Sequence, residues 1–290
     1  MLAQLIVNGL IIGSIYSLIA LGYSMVYGIL RIVNFAHGDV MMFGSFLGLV
    51  FMNTFQMNVI AAFLLAAMCT AILGMVIELF AYRPLRKYDR IVTLVSAMGV
   101  SIMLSNLAQL IWGTGTQNYV IPFKIATYEV MNITITNLQI IILATSVVLM
   151  VALYLFVHKT KMGVAMRATA QSLDNASLMG ININRIISLT FAIGSILAAL
   201  AGMLVSMYYD AVYPTMGYMF GLKAFTAAVL GGIGSIPGAM IGGLLLGVVE
   251  NLGGTFISTQ YQDMISFVIL IFVLVLRPTG IFGKKELNKV

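Results

Sequence analysis

The run Gly221-Leu222-Lys223-Ala224-Phe225-Thr226-Ala227-Ala228-Val229-Leu230-Gly231-Gly232-Ile233-Gly234-Ser235-Ile236-Pro237-Gly238 opens an apolar stretch that continues to Phe256. One membrane span needs about 20 apolar residues, so 221–256 is too long for a single simple span. Its centre, 231–238, is rich in glycine, with Ser235 and Pro237. These residues loosen a helix, and loosened backbone at membrane depth survives only inside protein or beside a wet cavity. The stretch therefore reads as two passes that turn at 231–238. The first pass is short, since 221–231 is only about 16 Å of helix at 1.5 Å per residue.

Working outward, the same kind of sequence fills the chain. Of 290 residues, 61% are hydrophobic and 8% charged, against roughly 45–50% and 25% for a soluble domain. Apolar runs cover 4–30, 39–55, 58–81, 91–112, 138–157, 185–208, 221–256 and 263–281. The fold class is all-α: a polytopic membrane helical bundle of about eight spans plus the Gly/Pro-broken segment near 231–238. Residues 1–290 form one transmembrane domain, with a long loop at about 158–184. Met1-Leu2-Ala3-Gln4 lacks the basic n-region of a signal peptide, so this segment is expected to stay in the mature protein. Small residues recur at four-residue spacing, as in Gly9/Gly13, Gly44/Gly48, Gly238/Gly242 and Gly243/Gly247, which lets helix backbones approach closely.

Charge sets the orientation. The net charge of +6 does not point to nucleic acid, because the basic residues flank hydrophobic runs. Arg83, Arg86, Lys87 and Arg90 form one cluster, and Lys159, Lys161, Arg167 and Arg185 a second. Arg277, Lys284, Lys285 and Lys289 form a third. The positive-inside rule puts all three in the cytoplasm. Two passes through 221–256 satisfy that parity and one does not. The N-terminus and the loop 113–137 then face outward, and Arg31 faces inward.

Function classes narrow by what is missing. No Gly-rich stretch ends in Gly-Lys-Ser/Thr, so the chain has no P-loop. His37 and His158 lie in different segments, and no metal-ligand set or nucleophile–base pair appears. The chain reads as neither an enzyme nor a metal protein. Cys69 sits in an apolar run and reads as a buried small side chain.

Three polar features remain. Asn34, His37 and Asp39 stand between two apolar helices with almost no loop to separate them. An ionisable residue held in the bilayer usually lines a path, so these three are candidates for a translocation path or its gate. Asp39 has a plainer alternative as the cap of a helix starting at 40. Glu250 lies deep in its run, and Lys223 on the adjacent pass is placed to pair with it. Glu78 lies near the cytoplasmic end of its span, within reach of the headgroups or of Arg83. Within the loop, 164–179 reads as a short helix, Gly180 as its C′ residue and Asn184 as the cap of the next helix. That helix either packs passively under the bundle or docks a cytoplasmic motor. The interrupted segments 33–38 and 231–238 each precede a glycine-spaced helix, a pattern that points to a transport path.

Those stretches also carry a resemblance. Val33-Asn34-Phe35-Ala36-His37-Gly38-Asp39 resembles the signature after the first helix in permease subunits of branched-chain amino-acid ABC importers. Arg167-Ala168-Thr169-Ala170 with Gly180-Ile181-Asn182 is similar to their cytoplasmic loop, and 223–239 and Arg277-Pro278-Thr279-Gly280 match as well. The resemblance covers essentially the whole chain. It implies multi-pass residence in a bacterial inner membrane, in contact with lipid and with no role for nucleic acid. It implies import of leucine, isoleucine or valine together with a second homologous permease subunit, two ATP-binding cassette subunits and an extracytoplasmic substrate-binding protein. ATP is then used by the partners, with no cofactor in this chain. Arg167, Ala168, Ala170 and Gly180 would form the ATPase-coupling surface. Urea and short-chain amide permeases share the 34–38 element and are the alternative cargo class. A secondary transporter would need a coupling-ion site, and a channel a symmetric filter, neither of which the sequence offers.

Overall fold

A computed structural model describes residues 1–119, 121, 123–130 and 133–283. Lys284, Lys285 and Lys289 of the third basic cluster lie outside the described residues. The helices are α1 (Leu2–Leu30), α2 (His37–Asn53), α3 (Val59–Ile77), α4 (Arg90–Trp112), α5 (Asn137–Lys159), α6 (Lys161–Gln171), α7 (Leu173–Leu178), α8 (Ile183–Tyr209), α9 (Met216–Gly231), α10 (Ile236–Phe256) and α11 (Gln262–Leu276). A π-turn, Glu78–Tyr82, extends α3. Among the described residues, seven helices, α11 counted with its leading 3-10 turn, are long and apolar enough to cross a membrane. At 17 and 16 residues, α2 and α9 are shorter.

The break at 231–238 is a turn between antiparallel helices. Gly232 (φ 105°) and Gly234 (φ 88°) adopt a left-handed backbone that suits glycine. Ser235 then caps α10 by accepting from the Gly238 N–H at 3.2 Å. The chain thus passes twice through this region, as the parity of the charges requires.

Helix α1 is the central post. It packs against α10 with almost no side chain between them: a Cβ on Gly9 would stand 2.6 Å from Val248 Cα, and one on Gly13 would stand 2.8 Å from the Gly243 carbonyl. The four-residue spacing of small residues therefore lets these two backbones meet directly. Cys69 does not join this core. It is exposed on the outward face of α3, because that helix buries the opposite face, Ala62, Ala66, Ala67, Thr70, Ala71, Gly74 and Ile77.

The two ends are distinct. At one end Arg86 bonds Asn184, and the segment after Arg277 returns to donate from Ile281 N to Leu230 O at 2.9 Å. Every described member of the three basic clusters lies near this end, which is therefore cytoplasmic. The opposite end carries two small antiparallel ladders, β1 (Gln117–Asn118) with β4 (Ala211–Val212) and β2 (Thr127–Val130) with β3 (Ile133–Thr136). Gln4 at the start of α1 donates there to the Thr134 carbonyl at 2.9 Å.

Three boundaries differ from expectation. The expected helix 164–179 is two helices, because Ser172 adopts extended backbone and caps α7 through the Asn175 N–H. Asn182 rather than Asn184 caps α8, accepting from Arg185 N at 3.1 Å. Helix α2 begins at His37, not at 40, so Asp39 lies inside its first turn and does not cap it.

Candidate functional site

The entry to α2 lies deep in the bundle. Residues 31–36 are non-helical and lead to His37, whose imidazole lies against Gly22 of α1 with Gly194 of α8 behind it. Gly22 is eight residues from the cytoplasmic end of α1 and Gly194 eleven from that of α8, or about 12 and 16 Å at 1.5 Å per residue. Helix α2 therefore starts well inside the membrane, with its positive dipole end buried. Irregular backbone at such a depth is tolerated because protein surrounds it.

Each expected residue of this entry has a distinct partner. Asn34 is buried and its Oδ1 accepts from the Tyr82 hydroxyl at 2.7 Å. His37 meets the Tyr23 ring edge-on, with centroids 4.8 Å apart. Gly38 lies directly on the backbone of Gly217 and Gly221 in α9, a contact only glycine allows. The Asp39 carboxylate accepts from Ser101 at 2.5 Å and from Ser105 at 2.8 Å, both on α4. Asn34, His37 and Asp39 thus join the entry of α2 to the π-turn after α3, to α1 and to α4 respectively. Beside them a cavity of 280 Å³ opens between α1, α4 and α9, lined by Tyr23, Phe35, Met98, Ser101, Tyr218 and Gly221 among others.

Lys223 stands between two carboxylates. Lys223 Nζ lies 2.6 Å from Glu250 Oε1 and also 2.6 Å from Asp263 Oδ1. Tyr16 and Ser266 each donate to Glu250 at 3.2 Å. This network ties α1, α9, α10 and α11 together. Asp263 escaped sequence reading because it stands at the start of its helix, where an acid looks like ordinary dipole compensation.

Glu78 turns inward, not to the headgroups. Fully buried in the π-turn, it is held by Arg83 at 2.8 Å, by Arg86, and by the Ser188 hydroxyl at 2.8 Å. Burial lowers the Arg86 pKa to about 10, well above neutral pH, so the guanidinium stays charged. Arg86 also donates to Asn184 at 2.9 Å. The cluster fastens the end of α3 to the start of α8, where the cytoplasmic loop re-enters the bundle.

That loop sits partly under the bundle. Ala168 and Ala170 are half-buried, and Ala170 closes a small cavity with Ser24, Met25, Gly28 and Ile29. Arg167 is exposed but donates to the Val157 carbonyl, locking α6 onto the end of α5. Gly180 takes φ 80°, as its C′ role requires. The outward-facing part of the loop is its tip, where Leu178 and Met179 are 85% and 83% exposed. These two large apolar residues are displayed at the aqueous end of the protein, where a partner could cover them. A Leu-Met pair ahead of a turn glycine was the available signal in the sequence.

Comparison with known proteins follows the same outline. The family model described as "Branched-chain amino acid transport system / permease component" matches residues 5–274. The chain is 44% identical, over 99% of its own length and 97% of theirs, to the high-affinity branched-chain amino acid transport system permease proteins LivH of Escherichia coli K12 and BraD of Pseudomonas aeruginosa. It is 27% identical to a probable LivH of Methanocaldococcus jannaschii, over 97% of this chain and 92% of that one. No solved structure matches.

Proposed function

Because the chain belongs to the family of permease components of the branched-chain amino acid transport system, we propose that it forms half of the membrane path of an ATP-driven importer for leucine, isoleucine and valine. The near full-length identity to LivH and BraD carries this reading. Nothing comparable favours the urea or amide alternative. The chain is a multi-pass membrane protein and not an enzyme. Its partners are a second homologous permease subunit, two ATP-binding cassette subunits that hold the ATP, and an extracytoplasmic binding protein that supplies affinity. The described residues contain no cluster fit for a metal ion.

The whole chain works as one unit by alternating access. The loop 158–184 receives the motor's stroke, with Leu178 and Met179 as the docking tip and Ala168, Ala170 and Arg167 seating the loop under α1 and α5. Movement of that loop reaches α8 at Asn184 and Ser188, then Glu78 through Arg83 and Arg86. From the π-turn it passes through Tyr82 and Asn34 to the entry of α2. π-turns are frequent at functional sites, and this one lies midway along the route. The test is co-expression with the neighbouring transport genes. A tagged chain should bring down both ATPases and the second permease. A complex that takes up urea or amides but not leucine would overturn the cargo.

A further inference from the structure

Among the described residues, three carboxylates lie fully inside this bundle, and two of them have cations. Glu78 has Arg83 and Arg86, and Glu250 has Lys223. Asp39, 1% exposed, is held by the Ser101 and Ser105 hydroxyls, with no cation at ion-pair distance among the described residues. An unpaired charge in a membrane interior is expensive and persists where function uses it. One of the two hydroxyls, that of Ser101, also lines the 280 Å³ cavity, and Ser105 does not.

We infer that Ser101, backed by Asp39, is the ammonium-receiving end of a transient amino-acid site in the cavity between α1, α4 and α9. The inference rests on the importer reading and adds the residues that meet the cargo. A serine hydroxyl that donates to a carboxylate keeps its lone pairs, and those accept an N–H from a ligand. The charge behind it strengthens that bond in a low-dielectric site. Tyr23, Phe35 and Tyr218 give the rest of the cavity an aromatic wall suited to a branched aliphatic side chain and to a cation. A zwitterion brings the positive charge that Asp39 lacks.

The test uses the complete complex in liposomes, with binding protein outside, ATP inside and radiolabelled leucine as the probe. Asp39→Asn and Ser101→Ala should assemble, yet lower initial uptake by about tenfold or more, the scale of losing a hydrogen bond that involves a charge. Ser105→Ala weakens only the support of the carboxylate and should cost no more than about threefold. Diazirine-bearing leucine should label Met98 or Leu222 in the unmodified complex and fail to do so in Ser101→Ala. Equal losses in Ser101→Ala and Ser105→Ala would overturn the site, since both would then act only by holding Asp39. Separation of the two permeases in Asp39→Asn would overturn it too, by assigning the missing cation to the partner subunit. An unmodified complex that imports no leucine defeats the cargo reading and this site together. Leucine import at full rate by Asp39→Asn defeats this site alone.

Discussion

Removing Lys223 should damage the protein more than removing either acid it serves. Lys223 is the single cation between Glu250 and Asp263, 2.6 Å from each. Glu250→Gln leaves the lysine paired with Asp263; the amide oxygen still accepts from one of the Tyr16 and Ser266 hydroxyls, and the amide NH2 can donate to the other once that hydroxyl turns to accept. The loss is one charge-assisted bond, about 1.5–3 kcal/mol. Lys223→Met strips the cation from both acids and strands Glu250, whose side chain is 2% exposed. Breaking a buried pair in this way costs about 3–5 kcal/mol. The gap between the two variants is about 1.5–2 kcal/mol, or roughly ten- to thirtyfold in the unfolding equilibrium. The double change leaves only Asp263, 49% exposed, and should recover at least 1 kcal/mol of the Lys223→Met loss, within the range of about 0.5–3 for contacting residues. Helix loss on SDS titration, followed by circular dichroism in detergent, reads these differences. Glu250→Gln proving as harmful as Lys223→Met would refute the reasoning, as would a double variant no better than Lys223→Met alone.

Other consequences are equally direct. His37→Trp drives an indole into the backbone of Gly22, and uptake should stop; normal leucine uptake in this variant would remove the α2 entry from the path. Leu178→Glu with Met179→Glu should leave insertion intact while binding-protein-stimulated ATP hydrolysis and uptake both collapse, measured in the reconstituted complex. Gly180→Val should do the same, because φ 80° excludes a β-branched side chain. In a Cys69→Ser background, an impermeant thiol reagent added outside should reach a cysteine at 118 and miss one at 87; labelling at 87 would invert the topology.

The fold was legible because lipid imposes strict rules on sequence. Span length, the Gly-Pro break and the basic clusters sufficed for the bundle, its orientation and the hairpin α9–α10. Lys223 and Glu250 were visible as partners because each is out of place in an apolar run. The ends of elements were not legible. Ser172, Asn182 and Asn184 are all plausible caps, and only their backbone angles decide which of them acts. Asp39 looked like a cap for the same reason. Ser101 and Ser105 face it from a helix whose serines carry no signal by themselves, since membrane helices use serine widely for packing. Cys69 was misplaced because an apolar run does not say which face is turned to lipid. The depth at which α2 begins could not be read either, because it depends on where residues 31–36 fold back between α1 and α8.

The most direct measurement of the central claim is leucine accumulation in liposomes holding the four-subunit membrane complex, with the binding protein outside and ATP sealed inside. Accumulation should require both, and it should vanish when this chain is left out of the assembly. Leucine entry that proceeds without internal ATP, or that persists without this chain, would contradict its role as half of an ATP-driven path.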